Sequence, residues 1–335
     1  MTLIFQDAFQ DSTLFVWPEW SSVFMDAGSG RTDALSSGSG GLHSNAARTL
    51  VLPSAIPTIV IGFGYFVSTF GWSDIPIQFN NAGGTNQASI RINGSGFIEF
   101  YRGGTKIGTS TGHAAIGAST WHFYEIKLTL TTATTSTVEV RLDGVTVLTI
   151  TGVATAASTG DVTSLSIQGM GFGSAASYWD DMYICNTSGS VANDFLGDCT
   201  VKVLVPTAAG DTTQWTPSTG SNYTTVDEIP ANSTDYVSDS TSGHRDLYNI
   251  TDLTGVIGAV YGVREKIFCQ KMDAGLAGLK PVIKENSVVT VDTSASPPSG
   301  GYGGVFGSLK TVRPSDSAAW TVTDINNLQI GQEIA

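Results

Sequence analysis

Glu139, Arg141 and Asp143 lie in the stretch VEVRLD at a spacing of two, which in an extended strand puts all three side chains on one face. Two carboxylates on a common face are the equipment of glycoside hydrolysis, where one donates a proton and the other acts as base or nucleophile. Arg141 stands between them and holds both ionised, so the pair lacks its proton donor. The face reads as ion-paired and solvated. Asp180 and Asp181 are adjacent carboxylates of the kind a hard cation takes, but six or more oxygen ligands are needed and the sequence identifies no others. His43, His113, His122 and His244 show neither HxH nor i,i+4 spacing, and no Gly-x-Ser-x-Gly elbow is present for a nucleophilic serine. The glycine pairs lack the strand-loop-helix setting of a phosphate cradle. No residue is therefore assigned to catalysis, to a metal or to a cofactor, and the expectation is a protein without enzymatic activity. Two aromatic residues remain. Trp72 follows the apolar stretch 59–70 and Tyr101 precedes Gly103-Gly104, both at expected loop ends where a flat ring can stack on a sugar. They are the candidate carbohydrate-binding residues.

Bulk properties narrow the partners. At 335 residues the chain exceeds what one core usually organises, so two domains are expected. Hydrophobic residues make up 41% and charged residues 13%, with 39 glycines, a composition of β structure rich in turns rather than of disorder. The net charge of −13 is spread along the chain with no basic stripe to offset it, which argues against nucleic acid as a partner. Cys185, Cys199 and Cys269 are odd in number and lack CxxC spacing, so free thiols are expected rather than zinc. The opening MTLIFQDAFQ lacks the basic segment and apolar core of a secretory signal, and the apolar run 59–67 is far too short to span a membrane. The expectations are assembly in a reducing cytoplasm and no membrane insertion.

The elements that must position these residues are strands. In WHFYEIKLTL, Tyr124, Ile126, Leu128 and Leu130 alternate with Glu125, Lys127 and Thr129, the pattern of a strand with one buried face. VEVRL repeats it, and Asp143-Gly144 is a two-residue type I′ turn signal. With those two residues as the turn, Leu142 faces Val145, Arg141 faces Thr146 and Val140 faces Val147. Further strand signals recur between Gly, Asn and Pro at the spacing of a β-sandwich, and no segment before residue 190 carries a helical period. Residues 1–190 are expected to form one sandwich and residues 191–335 a second β-rich, sandwich-like domain. VANDFLGD (191–198) reads as the joint, CTVKVLVP (199–206) as a strand that either domain could own, and the polar stretch 207–242 as an extended arm.

Several of these strands have a familiar order. WHFYEIKL, VEVRLDG and the closing WDDMYI resemble the jelly-roll domains of the concanavalin A-like lectin/glucanase superfamily, in its laminin-G-like branch, over about residues 1–190. The resemblance implies an all-β fold and a surface of the kind that meets sugars. The Glu-x-Asp-x-x-Glu spacing of that superfamily's glucanases is missing here. GDCTVKVLVPTAAGDTTQWTPSTGS, TDYVSDSTSGHRDLYNI and AWTVTDINNLQIG are similar to structural proteins of tailed bacteriophages, over about residues 175–335. That resemblance implies a virion component built in the host cytoplasm, with other virion proteins and copies of itself, in a homotrimer, as partners. A tail fibre or appendage touching host-surface glycan is the first reading. Capsid decoration and a carbohydrate-binding adsorption module are alternatives, and a polysaccharide depolymerase is a further one that the missing acid pair argues against.

Overall fold

The computed structural model describes residues 3–7, 35–36, 48–69, 73–113, 115–158, 161–167, 177–188, 191–229, 231–256, 258–272, 275 and 278–335. They fall into two compact units that meet in sequence between Val201 and Lys202.

The first unit contains strands β1 (Leu3–Asp7), β2 (Leu35–Ser36), β3 (Arg48–Ile56), β4 (Thr58–Val67), β5 (Ser73–Asn80), β6 (Asn86–Asn93) and β7 (Ile98–Arg102), followed by β8 (Thr105–Thr109), β9 (Trp121–Thr129), β10 (Ser136–Leu142), β11 (Val145–Val153), β12 (Val162–Ile167) and β13 (Ser177–Asn186). They build two antiparallel sheets. Sheet one has the order β1-β13-β4-β9-β10-β11, with β2 beside β13, and sheet two the order β3-β12-β5-β6-β7-β8. This is a β-sandwich, as the strand and turn signals predict, and it is consistent with the jelly-roll form that the resemblance implies. Sheet one turns the rows Phe63-Tyr124-Leu142, Ile61-Ile126-Val140 and Ile59-Leu128-Val138 toward the core, and all nine side chains are buried. Ile77, Phe79, Ile90, Ile92, Ile98 and Phe100 of sheet two are withdrawn from solvent completely. Each such side chain contributes roughly 1.5–3 kcal/mol on leaving water. Tyr65 packs between Trp179 and Tyr124, with ring centroids 5.0 and 6.0 Å apart.

The turn at Asp143-Gly144 has both residues at positive φ, 50° and 80°, as a type I′ turn requires. Leu142 faces Val145 and Arg141 faces Thr146, but Val140 lies opposite Leu148, not Val147. A bulge inserts Val147 as an extra residue in β11. It lets Val147 and Leu148 both be buried, at 5% and 8% exposure, where strict alternation would put one of them in water.

The sheet-one face turned away from this core is also covered. Residues 194–201 run over it as a strap, with the Leu196 N–H donating to Tyr183 Oη, the Gly197 N–H to Glu125 Oε1 and the Val201 N–H to Asp181 Oδ1. Residues 191–201 therefore belong to the first unit, and the unit boundary falls after the expected joint instead of before it. Gly62 makes the strap's anchor possible. It separates Tyr183 from Glu125 on neighbouring strands, and a Cβ there would overlap the Tyr183 ring.

The second unit contains β14 (Pro206–Thr213), β15 (Thr216–Pro217), a 3-10 turn (Asn222–Thr225), β16 (Val237–Ser238), β17 (Arg245–Ile250), β18 (Lys266–Cys269), β19 (Leu279–Glu285), β20 (Val288–Val291), β21 (Gly303–Phe306), helix α1 (Val322–Asn326) and β22 (Gln329–Ile334). Its main sheet has the order β14-β17-β22-β19-β20, and β15–β16 and β18–β21 are short separate ladders. The strand expected over 199–206 starts only at Pro206. Residues 207–242, expected as an arm, include β14 and a loop pinned to Asp246, whose Oδ1 accepts from the Gln214 and Trp215 N–H groups and whose Oδ2 accepts from Asn222 Nδ2. That buried carboxylate holds the polar stretch on its own unit.

Gly62→Ala is expected to lower the unfolding free energy of the first unit by about 1–3 kcal/mol, because the added methyl overpacks a filled site; a denaturant midpoint equal to wild type would refute the close approach. In the second unit burial pushes the Glu333 carboxyl up, and hydrogen bonds from Arg245 and Lys280 outweigh it, leaving the group below the ordinary range. A carboxyl depressed by folding stabilises above its unfolded pKa and loses that contribution as pH falls through its folded value. Unfolding curves of wild type and Glu333→Gln, recorded downward from neutral pH, should therefore converge in acid; curves that stay parallel would remove Glu333 from the account.

Candidate functional site

The outward face of sheet two carries a polar row that crosses the whole sheet. Register places Thr49 beside Ser166, Ser166 beside Gln78, Gln78 beside Ser89, Ser89 beside Tyr101, and Tyr101 beside Lys106. Arg91, Glu99 and Thr109 form the next row on β6, β7 and β8. Alternation alone produces this. In NQASIRIN the residues Ala88, Ile90 and Ile92 take the core, which leaves Ser89, Arg91 and Asn93 on the other side.

Tyr101, one of the two expected sugar-stacking residues, sits on β7, one strand in from the β8 edge of this face. Its hydroxyl donates to Glu99 Oε2 at 3.0 Å, and the Arg91 guanidinium lies over its ring, 3.9 Å from the centroid. Arg91 Nε donates to Ser89 Oγ at 3.4 Å, and Ser89 is fully buried beneath it. Glu99 Oε1 accepts from Asn93 Nδ2 and Lys106 Nζ. Burial raises the Glu99 carboxyl, but the hydrogen bonds from Asn93, Lys106 and Tyr101 outweigh it and hold the group below the usual carboxylate range. Burial and the bond to Glu99 push the Tyr101 hydroxyl above its ordinary value. Glu99 is thus an ionised acceptor that buttresses Tyr101, and the face offers hydroxyls, amides, a guanidinium and one aromatic plate. These are the groups that bind polyhydroxylated chains. Asn80 Nδ2 to Ser166 Oγ, at 2.8 Å, extends the network toward β3. Trp72, the other expected residue, lies outside the described residues.

A second cluster occupies the strap-covered face of sheet one. Tyr183 Oη donates to Glu125 Oε1 at 2.5 Å with both side chains buried. Burial and the adjacent carboxylate raise the Tyr183 hydroxyl far above its ordinary value. Beside them Lys127 Nζ contacts both Asp194 oxygens at 3.1 Å, and Arg141 stacks on Phe195 at 3.9 Å. Glu139 and Arg141 pair at 3.0 Å as expected, whereas Asp143, in the turn, instead bonds His122 Nδ1 at 2.7 Å and the Phe123 N–H. Asp181 has positive φ at a bulge, and its Oδ1 holds the strap at Val201. Among the described residues no group of three metal-ligating side chains comes together. Cys185, Cys199 and Cys269 are free thiols. Sequence reading singled out Tyr101 but not Arg91, Glu99 and Lys106, which only the pairing of β6, β7 and β8 brings beside it.

No protein-family model and no curated protein matches the chain by sequence. By fold it is similar to several solved structures. An endo-β-1,4-glucuronan lyase from the fungus Trichoderma reesei has 17% identity, with 56% of this chain and 96% of that one covered and a TM-score of 0.40. A PL-14 alginate lyase from Aplysia kurodai has 12% identity, with 56% and 100% covered and a TM-score of 0.41. The globular domain of T. cruzi calreticulin has 12% identity, with 55% and 88% covered and a TM-score of 0.35. At such identities the likeness concerns the β-sandwich fold and not a shared reaction. It does correct one expectation. Against the expectation of a protein without enzymatic activity, the solved structures it is similar to include polysaccharide lyases.

Tyr183→Phe removes the donor to Glu125 and the acceptor for the Leu196 N–H. The expected cost is about 1–3 kcal/mol, with Glu125 left partly unsatisfied, and amide exchange at Leu196 and Gly197 should accelerate before the rest of sheet one. Uniform protection across the strap would show that the hydroxyl does not anchor it.

Proposed function

We propose that the chain is a structural component of a bacteriophage virion, a tail-associated appendage whose first sandwich contacts host-surface glycan. The phage-like segments from GDCTVKVLVP onward support the particle assignment. One observation carries the glycan contact: a polar row spans all six strands of sheet two, with the Arg91–Tyr101 stack standing on it. A sugar chain lying across the strands would find a stacking plate at Tyr101 and hydrogen-bonding partners on either side. The side chain of Lys106, at the end of the row, is 51% exposed. Other virion proteins, and copies of the chain in a homotrimer, are the partners in this reading. Repetition matters because single sugar contacts are weak and linked copies multiply them.

The test is binding of the purified chain to a glycan array and to host cell envelopes. Tyr101→Ala is expected to reduce apparent affinity about tenfold, the loss of roughly 1.4 kcal/mol, while circular dichroism shows the variant folded. Undiminished binding would remove sheet two as the contact face, and a traced virion lacking the chain would end the particle assignment.

A further inference from the structure

The second unit holds a lysine and an aspartate pressed together beside a buried acid that neither the fold nor the glycan face requires. Lys310 Nζ lies 3.0 Å from Asp292 Oδ1 and 2.9 Å from Oδ2, with the two side chains only 8% and 15% exposed. Equal distances put the nitrogen opposite the carboxyl carbon instead of along one lone pair. Ser308 fixes the geometry from both ends. Its N–H donates to Asp292 Oδ2 and its hydroxyl to Oδ1, each at 2.8 Å, and its Oγ and carbonyl oxygen lie 2.9 and 3.3 Å from Lys310 Nζ.

Glu265 completes the group. Lys310 pairs with Val263 in an isolated bridge, through backbone bonds of 2.9 and 3.0 Å, two residues before Glu265. Gly307 lies opposite Glu265, whose carbonyl accepts its N–H at 2.9 Å. A Cβ at Gly307 would stand 2.8 Å from Asp292 Oδ2 and 3.4 Å from the Glu265 Cβ, so the missing side chain is the space that the aspartate and the glutamate share. Glu265 is 4% exposed, its Oε1 accepts from the Gly331 N–H at 3.0 Å, and its Oε2 has no hydrogen-bond partner among the described residues. Burial pushes this carboxyl well above the ordinary range, with the charge of Lys310 pulling it back and that of Asp292 pushing it further. That direction favours the protonated form of this acid, beside an ion pair. A buried pair alone gains nothing from such a neighbour, and an unsatisfied buried carboxyl oxygen costs about 1–3 kcal/mol.

From this geometry we propose that Lys310 Nζ and Asp292 Cγ condense into an intramolecular amide, a covalent cross-link inside the second unit. Transfer of one proton from the ammonium to the carboxylate gives the reactive amine and acid. Burial raises the Asp292 carboxyl, but hydrogen bonds from Lys310 and Ser308 outweigh it and hold the group below the ordinary range, so this neutral pair is the minor form from which a slow reaction starts. The amine lone pair forms the N–C bond at Cγ. The C–O bond to one Asp292 oxygen then breaks, and that oxygen leaves as water. Glu265 relays protons, giving one to the departing hydroxyl and recovering one from the nitrogen, so that it ends unchanged. The sum is ammonium plus carboxylate to amide plus water, with no oxidant and no cofactor. Held contact replaces a bimolecular encounter, which is the main requirement for so slow a condensation. The bond would join the chain just past β20, in the main sheet, to the chain just past β21, in the small ladder, and close the loop between residues 292 and 310. It is independent of the glycan reading.

Intact mass and peptide mapping of the purified full chain decide the matter. The wild type should weigh one water less than its sequence, and digestion should yield a branched peptide linking Lys310 to Asp292. Lys310→Arg and Glu265→Gln should restore the full mass, with folding checked by circular dichroism, and Asp292→Asn should lose one ammonia in place of water. A wild type that keeps its full sequence mass after prolonged incubation overturns the proposal. So does a water loss that persists in Lys310→Arg, since it would then arise elsewhere. A Glu265→Gln chain that still condenses takes the carboxyl out of the reaction.

Discussion

Strand β4 is buried on both of its faces, and that constraint shapes the first unit. Ile59, Ile61, Phe63 and Tyr65 face the core while Val60, Gly62 and Gly64 face the opposite way, and Val60 is as inaccessible as its neighbours. A strand that is apolar without alternation must lie between two layers. One layer is sheet two. The other is the strap of residues 194–201, held by the Tyr183–Glu125 pair and by Lys127, Asp194, Arg141 and Phe195. Polar groups in the middle of sheet one thus serve attachment, while the polar row of sheet two keeps Ser89 and Ser166 buried and exposes Lys106 at its end.

Much of this is written in the sequence at short range. Two-residue periodicity assigns β9, β10 and the core side of sheet one, and Asp143-Gly144 sets the hairpin, because these depend on neighbours a few residues apart. The unbroken apolar run of β4 also announces a second covering layer, although nothing local says what supplies it. VANDFLGD reads as a joint since its contacts are with residues some seventy positions earlier, and its own pattern is that of a loop. The bulge at Val147 is likewise invisible locally, because Thr-Val-Leu-Thr fits either register. Tyr101 is legible as an aromatic residue near a turn. The Arg91 stack upon it is not, since it requires knowing that β6 and β7 pair with Ser89 opposite Tyr101.

The second unit departs from alternation for a physical reason. Its interior is held partly by apolar clusters, such as Ile250, Ile283, Trp320, Ile325 and Leu328, and partly by buried polar groups that satisfy one another. Asp246 gathers two backbone amides, Asn222 and Tyr248, and Tyr248 Oη accepts from Gln332 Nε2 at 3.1 Å. Strands built around such a centre need Asp, Gln and Tyr where a sandwich core would place Val or Ile. Their polar spelling makes a folded loop look like a free arm. The energetic gain per bond is modest, but breaking one leaves a buried group unmet, so the network is strict about its members.

The strap also limits how this sandwich can be exchanged between proteins. A fragment cut at the end of β13 would carry every strand of both sheets, yet it would take from a tyrosine-carboxylate couple and a hydrophobic strand the cover that residues 194–201 give them among the described residues. Genetic shuffling of such units would therefore favour crossovers beyond Val201, and the short segment that looks like a dispensable connector travels with its sheet as an inseparable passenger.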